Sequence, residues 1–497
     1  MATSIRASHH QQLYGGHGRQ TAAMDLAGKH VHFVGIGGCG ISGLAHMAQQ
    51  RGAVCSGTDL AGGPTVDALR QAGLAISLDQ SASSVPEDCE LLVISAAIQR
   101  DHPEWVEARR RGLAVLKYAQ LLGALMVGQT GIAIAGTHGK STTTSLLGHV
   151  LIHCEQDPSL IVGANCPQIG GGFRVGASDL LLAEACEYDR SFHRLHPKHA
   201  VILNVEEDHL DMYSGLDEIV EAFNVFARRV PSDGTLLINH EMPHRLAITA
   251  GLKCTVETLG FAPQADWRVQ VTDDGLPVGM TGNSPVGSGP RAQLFHNDRA
   301  VVQWSCPLPG EHMAYNAAAA AVTAHRLGAA WNRIRQAIEA FHGLDRRMQR
   351  LGVRNINGQA IAVVDDYGHH PTEIDTTLRA LRRHYRPQRL VCVFQPHQHS
   401  RTRFLLEEFA VSFSEADIVI VPHIYFVRDS EKERHAVSAG DLVDRLRQKG
   451  VTAMHLYPFA AIVEQLEVIA RDGDLLVTIG AGDVWKVARE FSTNGRV

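Results

Sequence analysis

Short apolar runs alternate with segments of helical periodicity along most of the chain. The runs are rich in Val, Ile and Leu, as expected for parallel strands that helices cover on both faces. The pattern predicts an α/β protein, and ligands in such folds bind beyond the carboxyl ends of the strands. The predicted strands are residues 31–37, 91–97, 132–136, 180–185, 200–205, 361–367, 390–396, 417–424 and 474–482.

The length of 497 residues is too great for one core and predicts three units, at about 100–200 residues per domain. A Gly-, Pro- and Ser-rich stretch at 276–293 predicts loops on an irregular antiparallel region of the second unit. The predicted division is a solvated leader over 1–25 and domains over 26–122, 123–332 and 333–497.

Composition indicates a globular cytoplasmic protein. Hydrophobic residues make up 45% and charged residues 20%, and the formal charge of −6 argues against a protein that coats nucleic acid. No apolar run approaches the roughly 20 residues of a membrane span, so we expect no membrane insertion. The nine cysteines form no C-x-x-C pair, which predicts neither a disulfide framework nor a zinc knuckle.

The first candidate site is a glycine cluster that follows the first predicted strand. Gly35, Gly37 and Gly40 match G-x-G-x-x-G, and Asp59 ends the next strand, where a ribose-binding acid lies in dinucleotide folds. Taken alone, the cluster suggests NAD. The motif by itself predicts only a pyrophosphate site, because bare amides at a helix start bind any pyrophosphate. The glycines could also serve close packing of helix on strand.

The second candidate site is IAIAGTHGKSTTT, residues 132–144. Gly136 and Gly139 allow amides to point at phosphate oxygens, Lys140 can reach the terminal phosphates, and Ser141 can hold Mg²⁺. The strict P-loop pattern fails, since Ile134 stands at the first glycine position. The alternative is an ordinary Gly-rich turn.

Carboxylates beyond neighbouring strands are the expected metal ligands. Glu184 follows one buried run, and Asp208 and His209 follow another. Because Mg²⁺ prefers oxygen, Glu184 is the better ligand, and His209 alone favours a capping or core role. Further carboxylates that cannot be ranked are Glu187, Asp189, Glu206 and Glu207.

The third unit carries DDYGHHPTE, residues 365–373, and FQPHQHSRTR, residues 394–403. The paired histidines suggest a zinc site. The support is weak, because no carboxylate accompanies them at a metal-ligand spacing. Arg401 and Arg403 suit a bidentate clamp on a carboxylate, or an exposed surface pair.

These motifs, in this order, resemble those of the Mur ligases, from His30 to nearly the end of the chain. The resemblance rests on HFVGIGGCGISGLA, SGTD, GTHGKSTTT, EACEYDRSF, DHLDMY, PGEHMAYNAAAA, GLDRRM, DDYGHHPTE, FQPHQHSRTR and GAGDVWK. It implies an N-terminal Rossmann-like domain that binds UDP, a central P-loop-type ATPase domain, and a C-terminal Rossmann-like domain that brings an amino acid.

The resemblance also implies the reaction. L-alanine joins the lactyl carboxylate of UDP-N-acetylmuramate through an acyl phosphate, with ATP and Mg²⁺ as cofactors and ADP and phosphate as products. The enzyme would serve peptidoglycan synthesis, and thereby cell shape and division, as a monomer or weak homodimer without a nucleic-acid partner.

By resemblance, residues of this chain take the following roles. Those for the UDP-sugar are Gly35, Gly37, Gly38, Gly40, Asp59 and Ser95. Those for ATP are Gly136, Thr137, His138, Gly139, Lys140, Ser141, Thr142, His312, Asn316, Arg347 and Asp366. Tyr367, His369 and Arg401 would bind the amino acid. Ser141, Glu184 and His209 would hold Mg²⁺, and the catalytic set would be Lys140, Glu184 and His209.

The chain departs from the family pattern at Ser141 for Thr, Met313 for Asn and Gln398 for Arg. The last change weakens the expected preference for L-alanine over glycine or L-serine, since one methyl is worth only ~1–3 kcal/mol. Three alternatives stay open: a muropeptide-recycling ligase that adds a tripeptide, an NAD-dependent dehydrogenase, and a binding protein that hydrolyses ATP without ligation. Tyr367 and Glu373 favour addition of alanine over recycling.

Overall fold

The structure is a computed structural model that describes residues 24–95, 97–272, 289–427 and 429–493. Most of the predicted leader and residues 276–288 of the predicted loop region lie outside these ranges. The described chain forms three helix-covered sheets, so the predicted α/β class is confirmed. Within these ranges, no helix has the length and apolar character that crossing a membrane requires.

The first sheet has five parallel strands in the order β3-β2-β1-β4-β5. Its order reverses between β1 and β4, which opens a crevice beyond the carboxyl ends of these two strands. The elements are β1 His30–Val34, α1 Cys39–Gln50, β2 Val54–Thr58, α2 Pro64–Gln71, β3 Ala75–Ser77, β4 Leu91–Ile94, α3 Pro103–Arg110, β5 Ala114–Lys117 and α4 Tyr118–Met126.

The second sheet has ten strands in the order β15-β14-β13-β12-β11-β10-β6-β9-β7-β8. The strands from β13 to β7 in that order run parallel, and antiparallel pairs complete both edges. The elements are β6 Thr130–Ala135, α5 Lys140–His153, β7 Ser159–Cys166, β8 Gly171–Arg174, β9 Leu180–Ala185, β10 His199–Ile202, α6 Leu216–Ala227, β11 Thr235–Asn239, α7 Arg245–Thr249, β12 Thr255–Gly260, β13 Trp267–Thr272, β14 Arg291–His296, β15 Arg299–Ser305, α8 Glu311–Arg326 and α9 Trp331–Glu339.

The third sheet has six strands in the order β16-β17-β21-β18-β19-β20, parallel except for the hairpin β16–β17. The elements are β16 Gln349–Ile356, β17 Gln359–Asp366, α10 Pro371–Tyr385, β18 Arg389–Phe394, α11 His399–Phe404, α12 Leu406–Val411, β19 Ile418–Val421, α13 Glu431–Arg434, α14 Ala439–Gln448, β20 Thr452–His455, α15 Phe459–Ile469, β21 Asp474–Ile479 and α16 Trp485–Thr493.

All nine predicted runs contain strands, and eight of these strands stop before the predicted carboxyl end. The chain leaves the sheet at those ends to form the glycine and carboxylate loops. Both predicted domain boundaries fall inside helices, the first within α4 and the second within α9. Helix α9 buries Ile334, Ala337 and Ile338 in the core of the second sheet, so it packs with the central unit. The exact bounds of the three domains stay a prediction.

The first and second sheets share one apolar cluster, which includes Leu121 and Leu122 of α4 together with Ala133 and Phe192. Gly123 permits this close approach, because a Cβ there would overlap the carbonyl oxygen of Arg194. The first glycine loop is therefore fixed against the central sheet rather than attached by a free linker.

A buried polar network supports the end of β2 in the first domain. Glu104 of α3 has 0% exposure, and its carboxylate accepts from the Thr58 hydroxyl at 2.7 Å. Its second oxygen lies 2.9 Å from His32 Nε2, and His32 Nδ1 lies 2.7 Å from the Ser56 hydroxyl. The network thus ties α3 to β1 and β2, directly before Asp59.

Glu104→Ala leaves two buried polar partners unpaired and should destabilise the first domain by about 3–5 kcal/mol. Hydrogen exchange of the β1 and β2 amides measures this change. Glu107→Ala, on the same helix and ion-paired to its helix neighbours Arg110 and Arg111, is the control and should leave exchange nearly unaltered. Equal protection in both variants would contradict the network's role.

Candidate active site

The first glycine loop lies at the switch point of the first sheet. Gly35 has φ +76°, and a Cβ there would lie 3.0 Å from the Ser95 hydroxyl. The Gly37 amide donates to the Asp59 carboxylate at 2.8 Å, so the acid beyond β2 faces the loop. The structure thus brings together the predicted UDP-sugar residues, which are Gly35, Gly37, Gly38, Gly40, Asp59 and Ser95.

The second glycine loop joins β6 to α5 in the middle of the central sheet. Gly136 and Gly139 have φ +142° and +83°, values that favour glycine. A Cβ at Gly139 would lie 2.9 Å from the side-chain oxygen of Asn316, which places that predicted ATP residue against the loop. Its bare amides at the start of a long helix form an anion-binding cradle.

The charged side chain of Lys140 folds back onto the carbonyl oxygens of its own loop. Its ammonium group donates to the carbonyl oxygens of Gly136 at 2.5 Å and Thr137 at 3.0 Å, and to the Glu187 carboxylate at 3.1 Å. Burial lowers the pKa of Lys140, but Glu187 outweighs it and keeps the pKa above its usual value. The amine is therefore charged at neutral pH and lies beside the cradle.

Glu184 and Ser141 offer oxygen ligands beside Lys140. Glu184 ends β9, next to β6, and accepts from the Gly163 amide at 2.6 Å. Burial raises its pKa, against the opposing effects of that amide and of Lys140. A carboxylate held in a buried site beside a hydroxyl fits a magnesium ion, which takes oxygen ligands.

His209 lies near a different carboxylate. Its Nε2 is 3.6 Å from Glu187 Oε1 and 3.8 Å from Asp208 Oδ2. Burial raises the pKa of Glu187, but Lys140 and His209 outweigh it, and the pKa is lowered. Glu187 thus joins Lys140 to His209, and both belong to the predicted catalytic set. The metal role of His209 stays a prediction.

The cavity beside the phosphate loop has a volume of about 550 Å³ and lies between the central and third domains. It collects most of the predicted ATP residues. Burial lowers the pKa of His312 there to about 4. Lining residues from the predicted set are His138, Gly139, Thr142, His312, Asn316, Arg347 and Asp366.

A second cavity of about 550 Å³ lies on the other side of Arg347. Ser141, Glu184, Arg347 and Tyr367 line it. Arg347 lines both cavities, and its guanidinium lies 5.1 Å from the Tyr367 ring. A phosphate on the loop can therefore face a second reactant on the Glu184 side.

The predicted amino-acid residues are linked through one neighbour, because the His369 and His397 rings lie 5.8 Å apart and Arg401 Nη1 lies 3.3 Å from His397 Nδ1. Tyr367 and His369 have ring centroids 5.6 Å apart, and burial lowers the pKa of His369 to about 4. The Arg401 guanidinium donates to Asp208 Oδ1 at 2.9 Å, and both side chains are buried. The clamp predicted for a substrate carboxylate thus pairs here with a carboxylate of the central domain.

The structure shows the surroundings of two residues that depart from the family pattern, Met313 and Gln398. Met313 is 8% exposed and belongs to the apolar core of the third domain, so it packs across the interface besides lining the ATP cavity. Gln398 has φ +69°, is 7% exposed and donates to the carbonyl of Val427 at 3.4 Å. It therefore offers no charge beside Arg401.

The sequence did not single out four carboxylates that organise the site. Glu187 pairs with Lys140, Glu206 and Glu373 flank His138 at 3.3 Å each, and Asp208 pairs with Arg401. Glu187, Glu206 and Asp208 follow strand ends, and this signal raised all three as candidates but left Glu187 and Glu206 unranked. The pairing of His138 with Glu373 joins distant segments and leaves no local signal.

Models of three Mur ligase domains match the chain. They are the Mur ligase family catalytic domain over residues 30–130, the Mur ligase middle domain over 134–324, and the Mur ligase glutamate ligase domain over 346–482. The chain belongs to the Mur ligase family of ATP-dependent ligases. This membership supports the predicted ligase over the dehydrogenase.

Among its relatives is the UDP-N-acetylmuramate–L-alanine ligase of Caldanaerobacter subterraneus subsp. tengcongensis. The two are 36% identical over 465 residues, which span 93% of this chain and 97% of the relative.

Solved structures share the fold. The UDP-N-acetylmuramate-alanine ligase of Thermotoga maritima superposes with a TM-score of 0.74 at 23% identity, covering 93% of this chain and 98% of that one. A murein peptide ligase of Psychrobacter arcticus gives a TM-score of 0.67 at 23% identity, covering 95% and 99%.

Asp208→Asn removes the charge that balances buried Arg401 and should loosen the third domain from the central one by about 3–5 kcal/mol. Faster hydrogen exchange in α11 and a larger radius of gyration would show the loosening. Asp211→Asn, three residues on and exposed, is the matched control and should behave as the wild type. Unchanged exchange in Asp208→Asn would mean that other contacts dock the domain.

Proposed function

We propose that the enzyme joins L-alanine to the lactyl carboxylate of UDP-N-acetylmuramate, with cleavage of ATP to ADP and phosphate. The observation that carries this proposal is the charged Lys140 on a glycine cradle between two cavities, in a chain whose full-length relatives bear that activity in their names. The reaction would supply peptidoglycan precursors in the cytoplasm, with the enzyme a monomer or weak homodimer.

ATP would lie with its phosphates on the amides of the Gly136–Ser141 loop. Its adenosine would extend into the cavity that His312, Asn316 and Asp366 line. Lys140 would turn from the carbonyl oxygens it now contacts to the γ-phosphate, where its charge offsets the charge that develops in transfer.

Mg²⁺ would be held by Ser141 and Glu184, and a second ion by His209, with Glu187 as its neighbour. When bound, the metal neutralises phosphate oxygens during transfer. Lys140 supplies the same sign of charge from the opposite side of the loop, and Glu187 keeps that amine protonated and oriented.

UDP would bind the first glycine loop, with the lactyl carboxylate directed to the Glu184 cavity. That carboxylate attacks the γ-phosphorus and releases ADP, and the resulting acyl phosphate is attacked by the alanine amine with loss of phosphate. Since an acyl phosphate hydrolyses in water, contact of the third domain with the phosphate loop would exclude solvent.

Alanine would lie near Tyr367 and His369, with Arg401 as the partner of its carboxylate. His369 is neutral at pH 7, so it would bind by hydrogen bonding rather than by charge. Arg401 would then exchange Asp208 for the substrate carboxylate or bind both.

The decisive assay is phosphate release from ATP with UDP-N-acetylmuramate and, in turn, L-alanine, glycine, L-serine and the muropeptide tripeptide. We expect release with L-alanine and weaker release with glycine, since one methyl is worth ~1–3 kcal/mol, or roughly 10–200-fold. Faster turnover of the tripeptide would establish a recycling ligase instead. Release without any amino acid would indicate a plain ATPase.

Lys140→Ala should abolish turnover while the far-ultraviolet circular dichroism and the melting temperature stay near those of the wild type. We expect this loss because, in the part of the chain that the structure describes, no other cationic side chain contacts the carbonyl oxygens of the phosphate loop. Lys198→Ala, at an exposed pair with Asp233 at the far end of β10, is the control and should retain activity. Near wild-type ligation by Lys140→Ala would disprove the cradle assignment.

A further inference from the structure

Three metal-binding side chains from distant segments meet where the phosphate loop contacts the third domain. They are His138 of the loop, Glu206 beyond β10 and His370 at the start of α10. One ligand atom from each lies within 4.8 Å of the other two. The Glu206 carboxylate is 3.3 Å from His138 Nε2 and 3.9 Å from His370 Nδ1.

The two imidazoles are held by their other nitrogens. His138 Nδ1 lies 3.3 Å from the Glu373 carboxylate, and His370 Nε2 lies 3.1 Å from the carbonyl oxygen of Glu207. A histidine that binds a metal usually donates its second N–H to a carboxylate or a backbone carbonyl, which fixes the tautomer and the ring. Both rings meet this condition. His138 Nε2 faces Glu206, whereas His370 Nδ1 accepts from the Thr372 amide at 3.3 Å and would exchange that contact for the metal.

Glu206 is oriented as well. The Thr372 hydroxyl donates to its Oε2 at 2.6 Å, so the carboxylate is fixed from the third domain. The exposed fractions of the three side chains fall from 35% for Glu206 to 14% for His138 and 7% for His370. The cluster is thus open to solvent on the carboxylate side.

We propose that His138, Glu206 and His370 form an inhibitory zinc site between the phosphate loop and the third domain. Ligands of tetrahedral zinc at ~2.0–2.1 Å lie roughly 3.3–3.4 Å apart, so the cluster needs small shifts to bind the ion. Two imidazoles, one carboxylate and a water molecule complete the coordination. Zinc replaces the proton that His138 shares with Glu206.

This site differs from the one proposed for Mg²⁺, because nitrogen ligands suit zinc and all-oxygen sets suit magnesium. Its effect follows from its position. A zinc ion ligated from both domains would resist their separation, and substrates exchange through the space between them. The inference extends beyond the proposed ligation and concerns its inhibition.

The test titrates Zn²⁺ into the full-length protein in millimolar Mg²⁺, with a chromophoric chelator as competitor. The wild type should bind one equivalent more than His370→Asn, or bind that equivalent at least about tenfold more tightly. Asparagine is chosen because His370 also caps α10 by accepting from the Thr372 amide, and asparagine is a good N-cap. Glu206→Gln, which keeps an acceptor for Thr372, should lose the same equivalent.

Cobalt supplies an independent readout, since tetrahedral Co²⁺ absorbs visible light far more strongly than octahedral Co²⁺. The wild type should show this absorption and His370→Asn should lack it. The wild type and both variants share all other histidines and thiols, so zinc bound at those side chains contributes equally to each titration. Equal stoichiometry and affinity in the wild type and both variants would overturn the proposal, as would a wild-type cobalt spectrum that is octahedral.

Inhibition is measured as each protein's ligation rate with zinc divided by its rate without it. Zinc should lower the wild-type rate severalfold, reversibly with EDTA, and leave the ratio of His370→Asn near one. Loss of zinc inhibition in the variant, with ligation intact, would separate this site from the catalytic one. Zinc binding without any inhibition would overturn the inhibitory role.

Discussion

The ammonium group of Lys140, held against its own loop, is the interaction on which the site depends. Two carbonyl oxygens and the Glu187 carboxylate surround it, with 15% of the side chain exposed. A charge in such a position interacts far more strongly with a neighbouring phosphate than it would in water. Glu187 keeps that charge in place, and through His209 it connects the loop to the chain beyond β10.

Charge also organises the boundary between the central and third domains. Burial opposes the charged form of His138, yet Glu206 and Glu373 outweigh it and raise the pKa to about 9. Arg401 likewise holds the pKa of Asp208 well below its usual range, although burial acts in the opposite direction. Such charged contacts help to fix the relative position of two domains that must separate for substrates to exchange.

Local pattern accounts for much of the fold. The nine apolar runs form strands of largely parallel sheets. Such strands are buried on both faces, so nearly every position in them needs an apolar side chain. Strands β13 to β15 were predicted only as an irregular antiparallel region, and not as individual strands, because they are partly exposed and have no continuous apolar run. Helix α9 was cut by a predicted boundary because its apolar face, which packs on the second sheet, gives no signal of the domain to which it belongs.

The sequence by itself determined the two glycine loops, the lysine that serves one of them, and the family to which the chain belongs. These are local features, since backbone freedom and helix starts are written in consecutive residues. Tertiary structure decided which carboxylate meets which cation. Glu187 with Lys140, Asp208 with Arg401 and Glu206 with His138 and His370 come from segments far apart in the chain, and only the folded sheets bring their charges within a few ångströms.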